Sequence, residues 1–491
     1  MKMQAKATVL YSLLGFIPFV SSFVLLPVNV TYLSPADFGV LALAAIAQSY
    51  ISLLLLFGMD GAINRFYFDH NETPEKTSEF LNTLLSVVLL KCTLMSAVLY
   101  FTGDWILRFF GEGKLPFEDY GWFLFFQAIF LSMNALLFQY YRVAQKLQNA
   151  VLVSLLPFVL STAGGLIGVV YLKEGAWGSV AGKAVGTILA SAPIYILLFL
   201  KSGFKLNFSV VKDVYLYSYP VVLYTLISNT SAAIDKIFLN QFFSLSELGI
   251  YNLAVTIAAP IGILLMGYWN AVTPNLMETY IGEEENKGAI IERYYNNVLL
   301  ISFIAIWALI AVVNPVIFNF LKEGYWDSYL YIPLLAFAFI GRAYYIVYSF
   351  SLFYYKKTYL LPIINLVSLV LTAAAIYVLA QYLGIVGVCI GVGVSQFSQF
   401  LIAYYFDKEI NAFKYPVKNT LLLLGMSFLI IFLNYVLIYE VVDIFWVNII
   451  HVGEGVSMVL LAVFLIKGKV VVNSLRNGSF ARASGADQIG L

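Results

Sequence analysis

The sequence predicts an all-α polytopic membrane protein of about 14 transmembrane helices, arranged as two six-helix lobes followed by two C-terminal helices. Three observations predict it. Apolar spans long enough to cross a bilayer core, about 20 residues each, recur along almost the whole chain. The composition is 61% hydrophobic and 11% charged, with a mean hydropathy of +0.87, whereas a soluble domain is nearer half apolar and a quarter charged. The basic residues also fall overwhelmingly into alternate loops, as the positive-inside rule requires of a multi-span chain.

In chain order the first six spans lie near 8–30, 38–58, 80–102, 120–141, 149–172 and 177–200. The next eight lie near 214–241, 248–272, 294–320, 328–352, 359–382, 385–406, 418–438 and 444–466. Lys2 and Lys6 precede an apolar stretch that runs past Val30 without a small-residue cleavage site, so the first span is expected to act as its own insertion signal. No hydrophilic stretch is long enough for a separate soluble enzyme domain. Of the 28 Lys and Arg, four lie within spans and only Arg108, Lys114, Lys173 and Lys322 lie in one set of loops. The remainder share the side that holds both termini, which is therefore expected to be cytoplasmic.

Two halves look like copies. Leu33-Ser34-Pro35-Ala36-Asp37-Phe38-Gly39 leads into the second span, and Leu245-Ser246-Glu247-Leu248-Gly249 leads into the eighth. Gly175-Ala176-Trp177-Gly178 opens the sixth span as Gly384-Ile385-Val386-Gly387 opens the twelfth, and Tyr140-Tyr141-Arg142 ends the fourth as Tyr354-Tyr355-Lys356 ends the tenth. The expected organisation is an N-lobe over 1–200, a cytoplasmic linker over 201–213 and a C-lobe over 214–406. Spans thirteen and fourteen follow over 407–467, then a tail over 468–491. Repeats of six spans run in the same direction, related by an axis along the membrane normal, an arrangement used by transporters that rock two bundles about a central site.

An ionisable residue at membrane depth is costly and by default marks a pathway or site. The cations within spans are Lys91, Lys183, Lys236 and Arg342, with Asp235 the one clear acid beside them. Lys91 lies midway along the third span. Lys183 is close enough to a span end that snorkelling to the outer interface competes with an inward role. Asp235 and Lys236 are adjacent and diverge by about 100° on a helix, so they need not pair with each other: Asp235 is free to pair with Arg342 instead, or Lys236 with a phosphate. Arg65, at the cytoplasmic end of the second span, faces either a cavity or the headgroups. A cationic surplus at depth suits an anion, and a diphosphate is a natural partner. The many tyrosines at span ends are read first as interfacial anchors and second as sugar-stacking surfaces. Neither a nucleotide-binding loop nor metal-ligand spacing is present, so no cofactor and no catalysis are expected. Cys92 and Cys389 sit in separate apolar spans and read as buried thiols.

The segments Leu33–Gly39, Gly58–Tyr67, Ser246–Tyr251, Tyr354–Thr358 and Gly384–Gly387, with Asp235-Lys236, resemble the polysaccharide-unit flippases, the Wzx-type branch of the MATE-like exporter superfamily. The resemblance spans the first twelve helices. It implies a two-lobed bundle around a cationic cavity that opens alternately to either side of the bacterial cytoplasmic membrane. The implied cargo is an undecaprenyl-diphosphate-linked oligosaccharide for lipopolysaccharide or exopolysaccharide assembly, with a polymerase and chain-length proteins as further partners. Arg65, Asp235 and Lys236 match charged positions recurrent in that family, with Asp235 a pairing or ion-coupling candidate; Lys91, Lys183 and Arg342 rest on depth alone. The competing readings are a cation-coupled multidrug exporter, which is expected to carry more acid in its spans, and a membrane polymerase or ligase, which is expected to carry a large outer loop. A structural assembly partner is a third.

Overall fold

The computed structural model describes residues 17–111, 113–282, 287–411, 418–435 and 444–476. Among these residues every regular element is helical and there is no strand. The α-helices in order are α1 Ile17–Tyr32, α2 Pro35–Leu56, α3 Met59–Phe66, α4 Pro74–Gly111, α5 Trp122–Val143, α6 Leu147–Leu166 and α7 Gly175–Ser202. They continue as α8 Phe208–Phe242, α9 Leu245–Ile281, α10 Lys287–Phe320, α11 Ser328–Tyr354, α12 Leu360–Ile410, α13 Lys418–Leu433 and α14 Ile444–Arg476. Ten stretches among the described residues are long and apolar enough to cross a membrane. The described part of each expected span falls on a helix. The 51-residue α12 holds two of them, because Gly384 breaks it with φ 60° and ψ −140°. Lys2, Lys6, Glu283 to Glu285, Lys414, Arg482 and the tail beyond 476 lie outside the described residues.

The chain divides into two compact units. The first comprises Met1–Thr256 with Lys322–Tyr325, the second Ile257–Leu321 with Trp326–Leu491.

In the first unit, α2 starts in a reciprocal capping box. The Asp37 amide donates to Ser34 Oγ at 3.2 Å while the Ser34 amide and hydroxyl donate to Asp37 Oδ2 at 3.1 and 2.7 Å. Such a box satisfies amides that a helix start otherwise leaves bare. The start of α9 repeats it: Ser244 donates through its amide and hydroxyl to Glu247 Oε2, at 2.8 and 2.7 Å, and receives the Glu247 amide at 3.3 Å. Asp37 also accepts from the Ala176 amide at 3.2 Å, so one carboxylate serves the N-termini of α2 and α7. Gly175 precedes that contact with φ +56°, in the left-handed region that Gly384 also occupies at the matching position of the other repeat. Between α6 and α7 the backbones touch. A Cβ on Gly164 would lie 2.1 Å from Gly182 O, and one on Gly168 would lie 1.9 Å from Gly178 O. Small residues permit this approach where dispersion rather than hydrophobicity drives helix association in lipid.

The third pair of repeat motifs aligns differently from its tyrosines. Helix α5 ends with Lys146 N–H bonded to Tyr141 O and Gln145 N–H to Arg142 O, and α11 ends with Lys357 bonded to Leu352 O and Lys356 to Phe353 O. Gln145 (φ 55°) and Lys356 (φ 56°) are the left-handed residues of two equivalent Schellman caps. The equivalence is therefore Gln145-Lys146 with Lys356-Lys357, a register three residues away from the Tyr-Tyr match.

The second unit is built on α10–α14 around Trp307, Phe303, Tyr344 and Phe350, all at most 2% exposed. Trp307 donates to Ser427 Oγ at 3.1 Å. Its α12 halves meet at Gly387, where a Cβ would stand 2.2 Å from Leu379 O. Cys92 and Cys389 are buried thiols, as expected, and are not joined in a disulfide.

Candidate functional site

Five of the six singled-out residues lie in the first unit. Lys91, on α4, owes its depth to a helix break. Helix α2 stops at Phe57 (φ 46°) and Gly58 (φ 70°), both left-handed, and leaves its last carbonyls without helical donors. Lys91 Nζ donates to Leu55 O at 3.0 Å and to Leu54 O at 3.4 Å. It also stands 5.1 and 4.9 Å from the ring centroids of Phe57 and Tyr215, which stack on each other at 5.0 Å. Carbonyls at a helix C-terminus and the faces of two rings are both good partners for an ammonium. The charge of Lys91 is largely occupied by the fold.

Asp235 and Lys236, near the end of α8, do pair: Lys236 Nζ lies 3.5 Å from Asp235 Oδ2, with both side chains at most 14% exposed. The same oxygen accepts from Tyr251 Oη on α9 at 2.5 Å, and Asp235 Oδ1 is buried without a hydrogen bond. Arg65, on the short α3, is exposed. Its guanidinium bonds Asp69 Oδ2 at 2.8 Å, and the two side chains are 57% and 48% exposed. A pair this exposed contributes little to stability. Arg342 belongs to the second unit, where it donates to Gln399 Oε1 at 3.4 Å and lies 5.3 Å from the Tyr345 ring centroid.

Lys183 differs from all of these. It shares its face of α7 with Ala176, Val180, Thr187 and Ala190, at spacings of seven, three, four and seven, all at most 5% exposed. The opposite face carries the exposed Val185, Leu189 and Ile196. Lys183, itself half-buried, therefore lies on the helix face that packs against the unit and not on the face that carries these exposed apolar residues. No hydrogen bond or ion pair reaches its ammonium among the described residues. One turn earlier on the same side, the buried Ser179 Oγ also has no partner. The register in which Gly164 meets Gly182 and Gly168 meets Gly178 puts Gly165 level with Ala181. That level is about 9 Å along the helix from Gly175, well inside the span.

Two further carboxylates lie in helices of the second unit. Glu454, on α14, accepts from Asn434 Nδ2 at 2.8 Å, and the buried Asp407, on α12, accepts from Asn411 Nδ2 at 2.9 Å. Both belong to the second unit, and neither has a cationic partner among the described residues. Asp235 is thus not the one clear acid at depth; Glu454 was visible within 444–466 as an intramembrane carboxylate. In the first unit Lys114, counted as an outer-loop charge, donates to the Asn240 and Phe243 carbonyls at the end of α8.

A polysaccharide biosynthesis protein family model matches residues 5–280, more than half of the chain. No curated protein sequence matches it. Among solved structures, the fold is similar to the lipid II flippase MurJ in an inward closed conformation, with TM-score 0.71 and 15% identity, covering 96% of this chain and 100% of that one. It is also similar to a multidrug resistance MATE family transporter of the MOP superfamily in an inward-facing conformation (TM-score 0.59, 19% identity, 82% of this chain and 93% of that one). A MOP superfamily transporter from Pyrococcus furiosus aligns with TM-score 0.52 at 18% identity, over 82% of this chain and 95% of that one.

Proposed function

The chain belongs to the polysaccharide biosynthesis protein family, and on that premise we propose that it is a flippase of the MOP superfamily for a lipid-linked saccharide. The cargo is an undecaprenyl-diphosphate-linked oligosaccharide, moved from the cytoplasmic to the outer leaflet of a bacterial inner membrane. Both termini are cytoplasmic in this reading, and the six-span lobes 1–200 and 214–406 alternate access. A polymerase with chain-length partners consumes the product. The observation that carries the reading is the ammonium of Lys183, set inside the first unit with no anionic partner of its own. A cation half-buried in a helix seam without a countercharge is only partly compensated, and a phosphate is the anion such a lipid brings to membrane depth. A saccharide cannot cross hydrocarbon unaided, so hydrophilic protein surface must replace its water while the polyprenyl tail stays in the bilayer. Within the first unit Lys91, Lys236 and Arg65 supply further positive potential, moderated by the partners each already has, and Arg342 is a candidate of the second unit.

The test is translocation of a fluorescent diphosphate-linked glycolipid in proteoliposomes, wild type against Lys183→Ala. Movement by wild type and loss in a folded variant supports the reading. Export of small cationic drugs instead of the glycolipid overturns it. A cation-coupled exporter is the second reading, favoured by one observation: the carboxylates Asp407 and Glu454 lie in spans without cationic partners.

A further inference from the structure

The glycines of the α6–α7 seam do not all serve one purpose. At Gly164, Gly168, Gly178 and Gly182 an added Cβ would strike the backbone of the facing helix, at 1.9 to 2.4 Å. Those four allow the backbones to meet. Gly165 is buried in the same seam, yet the atoms nearest its missing Cβ are side-chain atoms of a single residue: Lys183 Cγ at 3.0 Å, Cε at 3.3 Å and Cδ at 3.7 Å. A Cβ at 165 would be in tight contact with the alkyl chain of Lys183, which would have to give by a few tenths of an ångström.

We propose that Gly165 is a positioning residue that fixes where the Lys183 ammonium stands. The inference rests on the reading of Lys183 as the group that meets the diphosphate. The seam around it cannot adjust, because the flanking glycines already hold the two backbones in contact. The lysine chain must therefore give way to any methyl placed at 165. The contacts fall near its root, at Cγ, and beside the charge, at Cε, so a shift of a few tenths of an ångström is passed on toward Nζ. An ammonium is a compact point charge on a flexible stem, and only the walls around that stem define where the charge is presented. Gly165 is such a wall, made of backbone and free of conformational choice. The anion recognised is a phosphate ester or diphosphate, read by charge, while the sugar is read elsewhere.

The test is a double-mutant cycle on the full-length protein in detergent, with farnesyl diphosphate as the probe and farnesol as its neutral control. Binding and thermal unfolding are measured for wild type, Gly165→Ala, Lys183→Ala and the double variant. The expected result is that Gly165→Ala weakens farnesyl diphosphate about tenfold, the scale of one hydrogen bond to a charged group. In the Lys183→Ala background the same change should cost nothing further, because the cycle isolates the pairwise contribution. An equal loss in both backgrounds, or no loss in wild type, overturns the proposal. Should Gly165→Ala fold poorly, Lys183→Ala is expected to rescue it by vacating the space; persistent misfolding assigns Gly165 to backbone packing and overturns the proposal as well. If wild type binds farnesol as tightly as farnesyl diphosphate, the flippase reading fails, a result distinct from any change at Gly165.

Discussion

Gly39 and Gly249 meet backbone to backbone in the first unit. A Cβ on Gly249 would stand 1.8 Å from Pro35 O and 2.9 Å from the Gly39 amide nitrogen. A Cβ on Gly39 would stand 2.2 Å from Leu245 O and 3.3 Å from the Gly249 amide nitrogen. Each glycine sits one turn past a capping box, the first begun by Ser34 and the second by Ser244. Two copies of one motif that touch through the same residue form a self-complementary contact, the kind that a two-fold relation generates. The repeat seen in the sequence is thus expressed as a contact between its copies.

Substitution at this contact should therefore be expensive. Gly249→Ala is expected to destabilise by about 1–3 kcal/mol, the usual cost of overpacking a closed interface, because the obstruction is backbone and cannot rotate away. Gly61→Ala is the control, since nothing lies within 4 Å of its missing Cβ. Thermal unfolding in detergent should separate the two variants clearly. Equal midpoints would mean the α2–α9 contact relaxes more freely than its geometry implies.

Lys91→Ala should act on stability before it acts on transport. Removing the ammonium returns the Leu54 and Leu55 carbonyls to an unpartnered state and withdraws the cation from Phe57 and Tyr215. A loss of about 2 kcal/mol is expected, on the scale of hydrogen bonds to charged groups. Lys183→Ala, which removes a charge without a partner, should leave the unfolding midpoint unchanged or raised while transport falls. Measuring both quantities for both variants sorts the structural cation from the functional one.

At the Asp235–Lys236 pair, Asp235→Asn should destabilise by about 3–5 kcal/mol, because it strands a buried ammonium. The double change Asp235→Asn with Lys236→Met should recover most of that loss. Tyr251→Phe removes one donor to the carboxylate and should cost about 1–2 kcal/mol. Chemical or thermal unfolding of the three variants reads this order directly. A neutral Asp235→Asn would show that Lys236 finds another partner.

The helices were legible because span length and charge asymmetry are linear properties of the chain. Fold class and helix positions followed from them. The roles of individual cations did not. Lys91 reads as a midspan charge in search of a ligand. Its partners are carbonyls freed by the turn at Phe57 and Gly58, and Phe57 is not a residue from which a left-handed turn is expected. Lys183 was better written in the sequence than its distance from the span end suggested. Ala176, Val180, Thr187 and Ala190 form a small, mostly apolar stripe with it at helical spacing, which points it inward and weakens the snorkelling alternative. The vacancy at Gly165 is a tertiary contact between helices and has no local signature at all.

Asp407 and Glu454 offer the sharpest separation between the two transport readings. Each is held by one asparagine amide, Asn411 or Asn434, at 2.9 and 2.8 Å. An exporter driven by protons or sodium needs a carboxylate that changes its bound cation during the cycle, and an acid in a span without a fixed countercharge is suited to that exchange. A flippase that works through Lys183 has no such demand on the second unit. Asp407→Asn and Glu454→Gln preserve shape and one acceptor while removing the capacity to exchange a cation. In proteoliposomes both variants are expected to keep glycolipid translocation within about twofold of wild type, a difference worth less than the 1.4 kcal/mol of a tenfold change. Loss of more than about tenfold in either variant, with the fold intact and the dependence on an imposed ion gradient abolished, would make the carboxylate a coupling group. The same loss accompanied by a lowered unfolding midpoint would identify a structural hydrogen bond instead. Running the measurement with and without an ion gradient therefore decides whether the second unit couples transport to an ion or only supports it.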